Sequence, residues 1–264
     1  MDRHFQLDDL ALYVGQPHEH FEGLLLTENG VSGWHEGVDV RREVTERHAG
    51  AGSFDSIGTL DARVVAFEGL ITAQGIQKFE TLRRQVSSFG TGGNMIRISE
   101  AAGNEQWWAR GRLGARTSVS VARAGSLLAP FKITLWCPDP RIYGAAYSFG
   151  PAPAVFVEQT AGTYPSRPRI TVRATSSMLE GYGVNLMRDG ATLGAIRIQA
   201  PLAAGSTHVI DMVTGQVLNG ATPILGGVQS GNVWAIPPAG TYYVHLAPNS
   251  GAGTITVTGY DNRV

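Results

Sequence analysis

From Thr59 to Thr72 the chain reads Thr-Leu-Asp-Ala-Arg-Val-Val-Ala-Phe-Glu-Gly-Leu-Ile-Thr, and from Phe131 to Cys137 apolar and polar side chains take turns. A period of two belongs to a strand with one face in a core, and a helix cannot satisfy it. The first run predicts Leu60, Ala62, Val64 and Ala66 on one face. The second puts Phe131, Ile133, Leu135 and Cys137 inside, against Lys132, Thr134 and Trp136. On a core face a thiol acts as a small hydrophobe, whereas a nucleophilic or ligand thiol needs an electropositive, partly open setting.

One stretch breaks the period. Ile76, Phe79, Leu82, Val86 and Phe89 follow the helical spacing of three and four residues. The reading predicts a helix capped by Thr72, braced by a Glu80–Arg84 pair and stopped at Gly90. Beyond residue 150 the alternation resumes in short runs punctuated by Gly, Asn and Asp. Examples are Ile170–Val172, Val184–Met187, Thr207–Asp211, Tyr242–Leu246 and Thr254–Thr258. That is the pattern of a β-sandwich or jelly roll. The 34 glycines among 264 residues serve these turns. The fold class expected is mainly β.

Charge divides the chain. Residues 1–140 hold 14 basic and 17 acidic side chains, and residues 141–264 hold 7 and 5. The strand ending at Trp136-Cys-Pro-Asp-Pro-Arg-Ile-Tyr143 meets two prolines, which neither donate to a ladder nor continue it. Two domains are therefore expected, 1–147 and 148–264, with Trp136, Asp139, Pro140, Arg141 and Tyr143 at their junction. Residues 41–58 are charged and then Gly-rich, which reads as a long hairpin arm. Long connections in compact domains are often binding elements. Arg41, Arg42, Glu43, Glu46, Arg47 and Phe54 are the side chains on it that would meet a neighbouring copy.

Catalytic chemistry is hard to place. The chain has no Gly-x-Ser-x-Gly elbow, no phosphate-binding loop and no His-Glu-x-x-His helix. One cysteine excludes an internal disulfide and a multi-cysteine metal site. His18 and His20 could share a strand face, but Gln16-Pro17 places them at a turn. A non-enzymatic chain without cofactor or metal is expected. The net charge of −1 argues against sequence-specific nucleic-acid binding and against a polybasic membrane surface. No apolar run reaches the roughly 20 residues that span a bilayer. The opening Met-Asp-Arg-His-Phe-Gln lacks the basic and apolar regions of a signal peptide. Trp234 is the candidate sugar contact of the second domain, since sugars stack on exposed rings. Most sandwich aromatics, however, serve the core.

The order of features carries a resemblance. Asp61-Ala-Arg-Val-Val-Ala-Phe-Glu-Gly-Leu-Ile-Thr-Ala73 leads into the helix. Asp139-Pro-Arg-Ile-Tyr143 closes the first half, and Val209-Ile-Asp-Met-Val-Thr-Gly-Gln-Val-Leu-Asn-Gly220 forms a hairpin in the second. In this order the chain resembles the distal tail proteins, or minor tail proteins, of long non-contractile-tailed bacteriophages. The resemblance implies an N-terminal belt-type β-sandwich with one helix and an extended hairpin arm, followed by a galectin-like β-sandwich. It implies a homohexameric ring at the virion tail tip, made in the host cytoplasm, that adapts the tail tube to the tip hub or baseplate. A channel for the tape measure and the DNA would run through it. Expected partners are other copies, the tail-tube, hub and tape measure proteins and, in some members, a receptor-binding protein. Carbohydrate binding at the host surface and a tail-tube subunit are the alternatives. A lumen that passes DNA without holding it should avoid net positive charge, which the slightly acidic first half satisfies.

Overall fold

A computed structural model describes residues 4–15, 21–42, 45–46, 53–54, 58–103, 105–120 and 126–264. It divides into two compact units, Met1–Ile142 with Val264, and Tyr143–Arg263.

In the first unit the strands are β1 (His4–Leu7), β2 (Leu10–Val14), β3 (Gly23–Ser32), β4 (Val40–Arg41), β5 (Thr45–Glu46), β6 (Ser53–Phe54), β7 (Thr59–Leu60) and β8 (Arg63–Thr72). The helix α1 (Ile76–Ser88) follows, then β9 (Ile96–Ala102), β10 (Glu105–Val119) and β11 (Leu128–Cys137). Seven of these strands hydrogen-bond in the order β11-β8-β3-β2-β1-β9-β10, and β10 pairs again with β11. The sheet thus closes into a barrel, which removes its edges. Phe5, Leu7, Leu12, Leu24, Phe67, Ile71, Ile98 and Ile133 fill it, and Phe79, Leu82 and Val86 of α1 join the same core. Each such side chain contributes about 1.5–3 kcal/mol through burial.

The helix starts with its stripe, at Ile76, later than a Thr72 cap would allow. Thr72 ends β8, Gly75 is the N-cap and no side chain caps the helix. Ile76, in the first turn, is 54% exposed. Glu80 pairs with Arg83, not with the expected Arg84, at 2.7 Å. Arg84 instead donates from Nε to the Glu80 carbonyl.

β8 keeps the expected period but takes the opposite phase. The strand is interrupted at Asp61 and Ala62 between β7 and β8, and the inward set is Arg63, Val65, Phe67, Gly69 and Ile71, with Val64 outside. Arg63 looks polar in sequence yet is 1% exposed, because carbonyl groups inside receive its guanidinium. In β11 the expected phase holds, and Phe131, Ile133, Leu135 and Cys137 are buried.

The second unit begins with β12 (Ile142–Ala152) and β13 (Ala154–Val157). It continues through β14 (Arg169–Ser176), β15 (Tyr182–Arg188), β16 (Ala191–Ile198), β17 (Thr207–Asp211) and β18 (Val217–Asn219). It ends with β19 (Thr222–Pro223), β20 (Val228–Gly231), β21 (Tyr242–Pro248) and β22 (Ala252–Arg263). One sheet runs β12-β22-β14-β17-β18-β19 and the other β13-β21-β15-β16-β20. Ile170, Val172, Ile210, Ile255 and Val257 of the first and Val184, Leu186, Ile196, Val244 and Leu246 of the second share one core. This is the expected sandwich. Its β15–β16 hairpin turns at Asp189 and Gly190, with φ of 49° and 81°. Two positive φ values make the tight turn that suits the right-handed twist of paired strands.

Candidate assembly surfaces

The arm is a ribbon. Val40 pairs with Leu60 and Arg41 with Thr59, and further out Thr45 pairs with Phe54 and Glu46 with Ser53. Both short ladders are antiparallel, and in the chain they fall between β3 and β8. Arg41 and Arg42 are exposed at its base, and Glu46 and Phe54 lie on its outer ladder. Glu43 and Arg47 fall outside the described residues, as do His18 and His20.

Arg63 anchors the base of that ribbon. Its Nη1 donates to the carbonyls of Gly33, at 2.5 Å, and of Glu36, at 2.9 Å. Its Nε donates to the carbonyl of Pro140, also at 2.9 Å. One guanidinium fork therefore ties the chain entering the arm to the turn that ends β11. Beside it, Trp34 donates from Nε1 to Glu100 at 2.6 Å, and His35 Nε2 lies 3.5 Å from the same carboxylate. Asp139 and Arg141 form a two-point pair, both contacts at 2.8 Å. Tyr143 packs edge-on against Tyr260, and Trp136 stands 44% exposed.

Trp234 is 7% exposed. A Cβ at Gly194 would come within 2.8–2.9 Å of its Cβ and ring atoms, so the chain itself covers part of the indole. Two other groups that could do chemistry are locked in cores. Burial pushes the Cys137 thiol up to about 11, against a lowering by Arg63 and with a small rise from Asp139. Tyr182 and His208 share a hydrogen bond of 3.0 Å between the hydroxyl and Nδ1. Burial raises the tyrosine and lowers the histidine. Among the described residues no group of three or more His, Cys, Asp or Glu side chains is placed to hold a metal. No described helix is long and apolar enough to cross a membrane.

A surface not singled out from sequence lies on the outer face of β9 and β10. Arg97 and Arg110 are directly opposite across the ladder. Both pack on the Trp108 ring, whose centroid is 4.4 Å from the Arg97 guanidinium carbon and 5.8 Å from that of Arg110. The signal in sequence is the run Trp107-Trp-Ala-Arg-Gly-Arg112, in which Trp108 and Arg110 fall on one face. Arg97, ten residues and more upstream, joins them only through strand pairing.

No family model and no curated protein matches the sequence. Among solved structures, the phage P2 baseplate in its activated conformation aligns over 98% of both chains at 11% identity, with a TM-score of 0.47. The Dit protein (gp 19.1) of phage SPP1, described as a paradigm of the hub adsorption apparatus in phages infecting Gram-positive hosts, aligns over 99% of both chains. Its identity is 12% and its TM-score 0.67. Over its whole length, then, this chain has the fold of the SPP1 Dit protein.

Proposed function

We propose that the chain is a non-enzymatic structural component of a phage tail tip, a distal tail protein. The carrying observation is the match to SPP1 Dit across 99% of both chains, which includes both units and not one common domain. In this reading the copies form a hexameric ring that joins the tail tube to the tip hub or baseplate. The ring leaves a passage for the tape measure and the DNA. A closed barrel with a projecting ribbon suits the task. The barrel has no free edge to polymerise, and the ribbon can reach a neighbour in a head-to-tail contact that closes. Arg41, Arg42, Glu43, Glu46, Arg47 and Phe54 would belong to that contact. The segment from Trp136 to Tyr143 would join the ring-forming domain to the second expected domain, residues 148–264.

Negative-stain imaging with light scattering on the purified chain tests this. The expected result is a six-membered ring with a central hole, about 169 kDa, six times the 28.1 kDa chain. Long stacked filaments would assign the chain to the tube instead. A monomer that persists with tube and hub proteins present would overturn the ring.

A further inference from the structure

β3 and β8 lose register between Leu26 and Val31. Leu26 faces Gly69 and Val31 faces Phe67, so the four residues Thr27–Gly30 stand against Glu68 alone. A bulge of this kind bends the strand and carries its extra residues out of the ladder. Its base is held down: Thr27 Oγ1 donates to the Glu68 carbonyl at 3.2 Å, and Gly30 presses on that carbonyl too closely for any Cβ. Glu28 and Asn29 are exposed at its tip.

In the barrel order, β9 lies three strands from β3 in one direction and four in the other, on the opposite wall. There a hollow of about 210 Å³ opens, lined by His4, Gln6, Arg97, Ser99, Ala101 and Gln106, with Glu100 at its floor. The Arg97–Trp108–Arg110 stack stands beside it. The Glu100 carboxylate is buried and turned to Trp34 and His35. Asp8 Oδ1 accepts the backbone N–H of Arg97. Two like charges directly opposite on neighbouring strands destabilise a sheet. Contact of both with the Trp108 ring offsets part of that, and a carboxylate held by the guanidinium forks would offset more.

We propose that the Glu28 bulge of one copy docks on the next at the Arg97–Trp108–Arg110 stack, on the side of the hollow that Arg97 lines. The proposal rests on the ring reading and adds to the arm a second contact between copies. An acidic knob and a basic hollow on opposite walls of one barrel are different patches, so the contact is head-to-tail, and such contacts build rings when the rotation closes.

The test uses the full-length chain in sedimentation velocity, with circular dichroism confirming that each variant folds. Glu28→Arg alone sets Arg against Arg, and Arg97→Glu with Arg110→Glu sets Glu against Glu. Each is expected to weaken self-association at least about tenfold, the scale of a strong charge pair. Mixed in equal amounts, the two variants present an Arg knob to a Glu hollow and a Glu knob to an Arg hollow. Alternating rings should then form again. Rings that survive both variants overturn this contact while leaving the ring itself intact. Loss with the hollow variant but not with Glu28→Arg also overturns it, since the group meeting the arginines would then lie elsewhere on the neighbouring copy. A wild-type chain that never forms rings overturns the underlying reading as well.

Discussion

Arg63 shows why one side chain can reverse the reading of a whole strand. Counted as polar, it sends Val65 and Phe67 outward. Placed among carbonyls, it brings them in. The period was legible, but the phase depended on backbone acceptors at Gly33, Glu36 and Pro140, 27 to 77 residues away. Arg63→Lys keeps the charge yet replaces a rigid fork by a compact ammonium, and Arg63→Ala leaves buried carbonyls without donors. Each orphaned group costs about 1–3 kcal/mol, so Arg63→Ala should destabilise the chain by about 3 kcal/mol or more. Thermal denaturation with and without the substitution measures it, and a change under about 1 kcal/mol would show that water or a neighbour replaces the guanidinium. The Cys137 side was legible, because β11 carries no such exception. Its thiol, raised to about 11 by burial, should resist a maleimide at pH 8 in the native protein and react fully in denaturant. Rapid native labelling would mean that β11 opens locally.

His208 belongs to the same scale. Its pKa is lowered from 6.5 by burial, so below pH 6.5 the unfolded chain binds a proton that the folded chain refuses. Stability is therefore full above about 6.5 and falls as pH drops from there toward the folded value. His208→Gln removes the titration and should flatten the melting temperature between pH 6.5 and 5, as calorimetry would show. An unchanged slope would assign the acid sensitivity to other groups.

At the scale of elements, the sandwich strands and the single helix were readable because their periods are local. The cap of the helix was not. Thr72 has a capping side chain, but β8 needs it as a last ladder residue opposite Leu128, and the tertiary pairing wins over the local cap. The ribbon was visible as a charged, Gly-rich segment, while its register was fixed only by pairing. Gly33 at its base has φ of 75° and lies against the Val64 carbonyl so closely that no Cβ fits. Gly33→Ala must strain the backbone or push β8 away, at a cost of about 1–3 kcal/mol. If the ribbon helps to close a ring, ring formation should suffer more than the melting temperature. Equal loss of both would make Gly33 a purely structural residue.

At the scale of the whole molecule, feature order pointed to a fold that a 12% identity leaves invisible to pairwise reading. The barrel and sandwich follow from strand periods and turn residues. Closure of the barrel does not, because nothing local to β10 says that it must pair with both β9 and β11. The Arg97–Trp108–Arg110 surface escaped sequence reading for the same cause. Its members come together across a ladder, and the acidic knob lies on a strand three places away. Such a contact has a distinct dependence on solvent. Exposed charges are screened over about 10 Å at 0.1 M salt and about 3 Å at 1 M, whereas burial of apolar surface is not weakened by salt in this way. Ring formation through Glu28 and the arginine pair should therefore fall as sodium chloride rises. The same titration on the equal mixture of charge-reversed variants should give the same slope, because reversing both partners preserves the attraction. Sedimentation velocity across a salt series measures both curves. A ring indifferent to salt would place the main contact elsewhere, with the arm and its apolar Phe54 the first place to look.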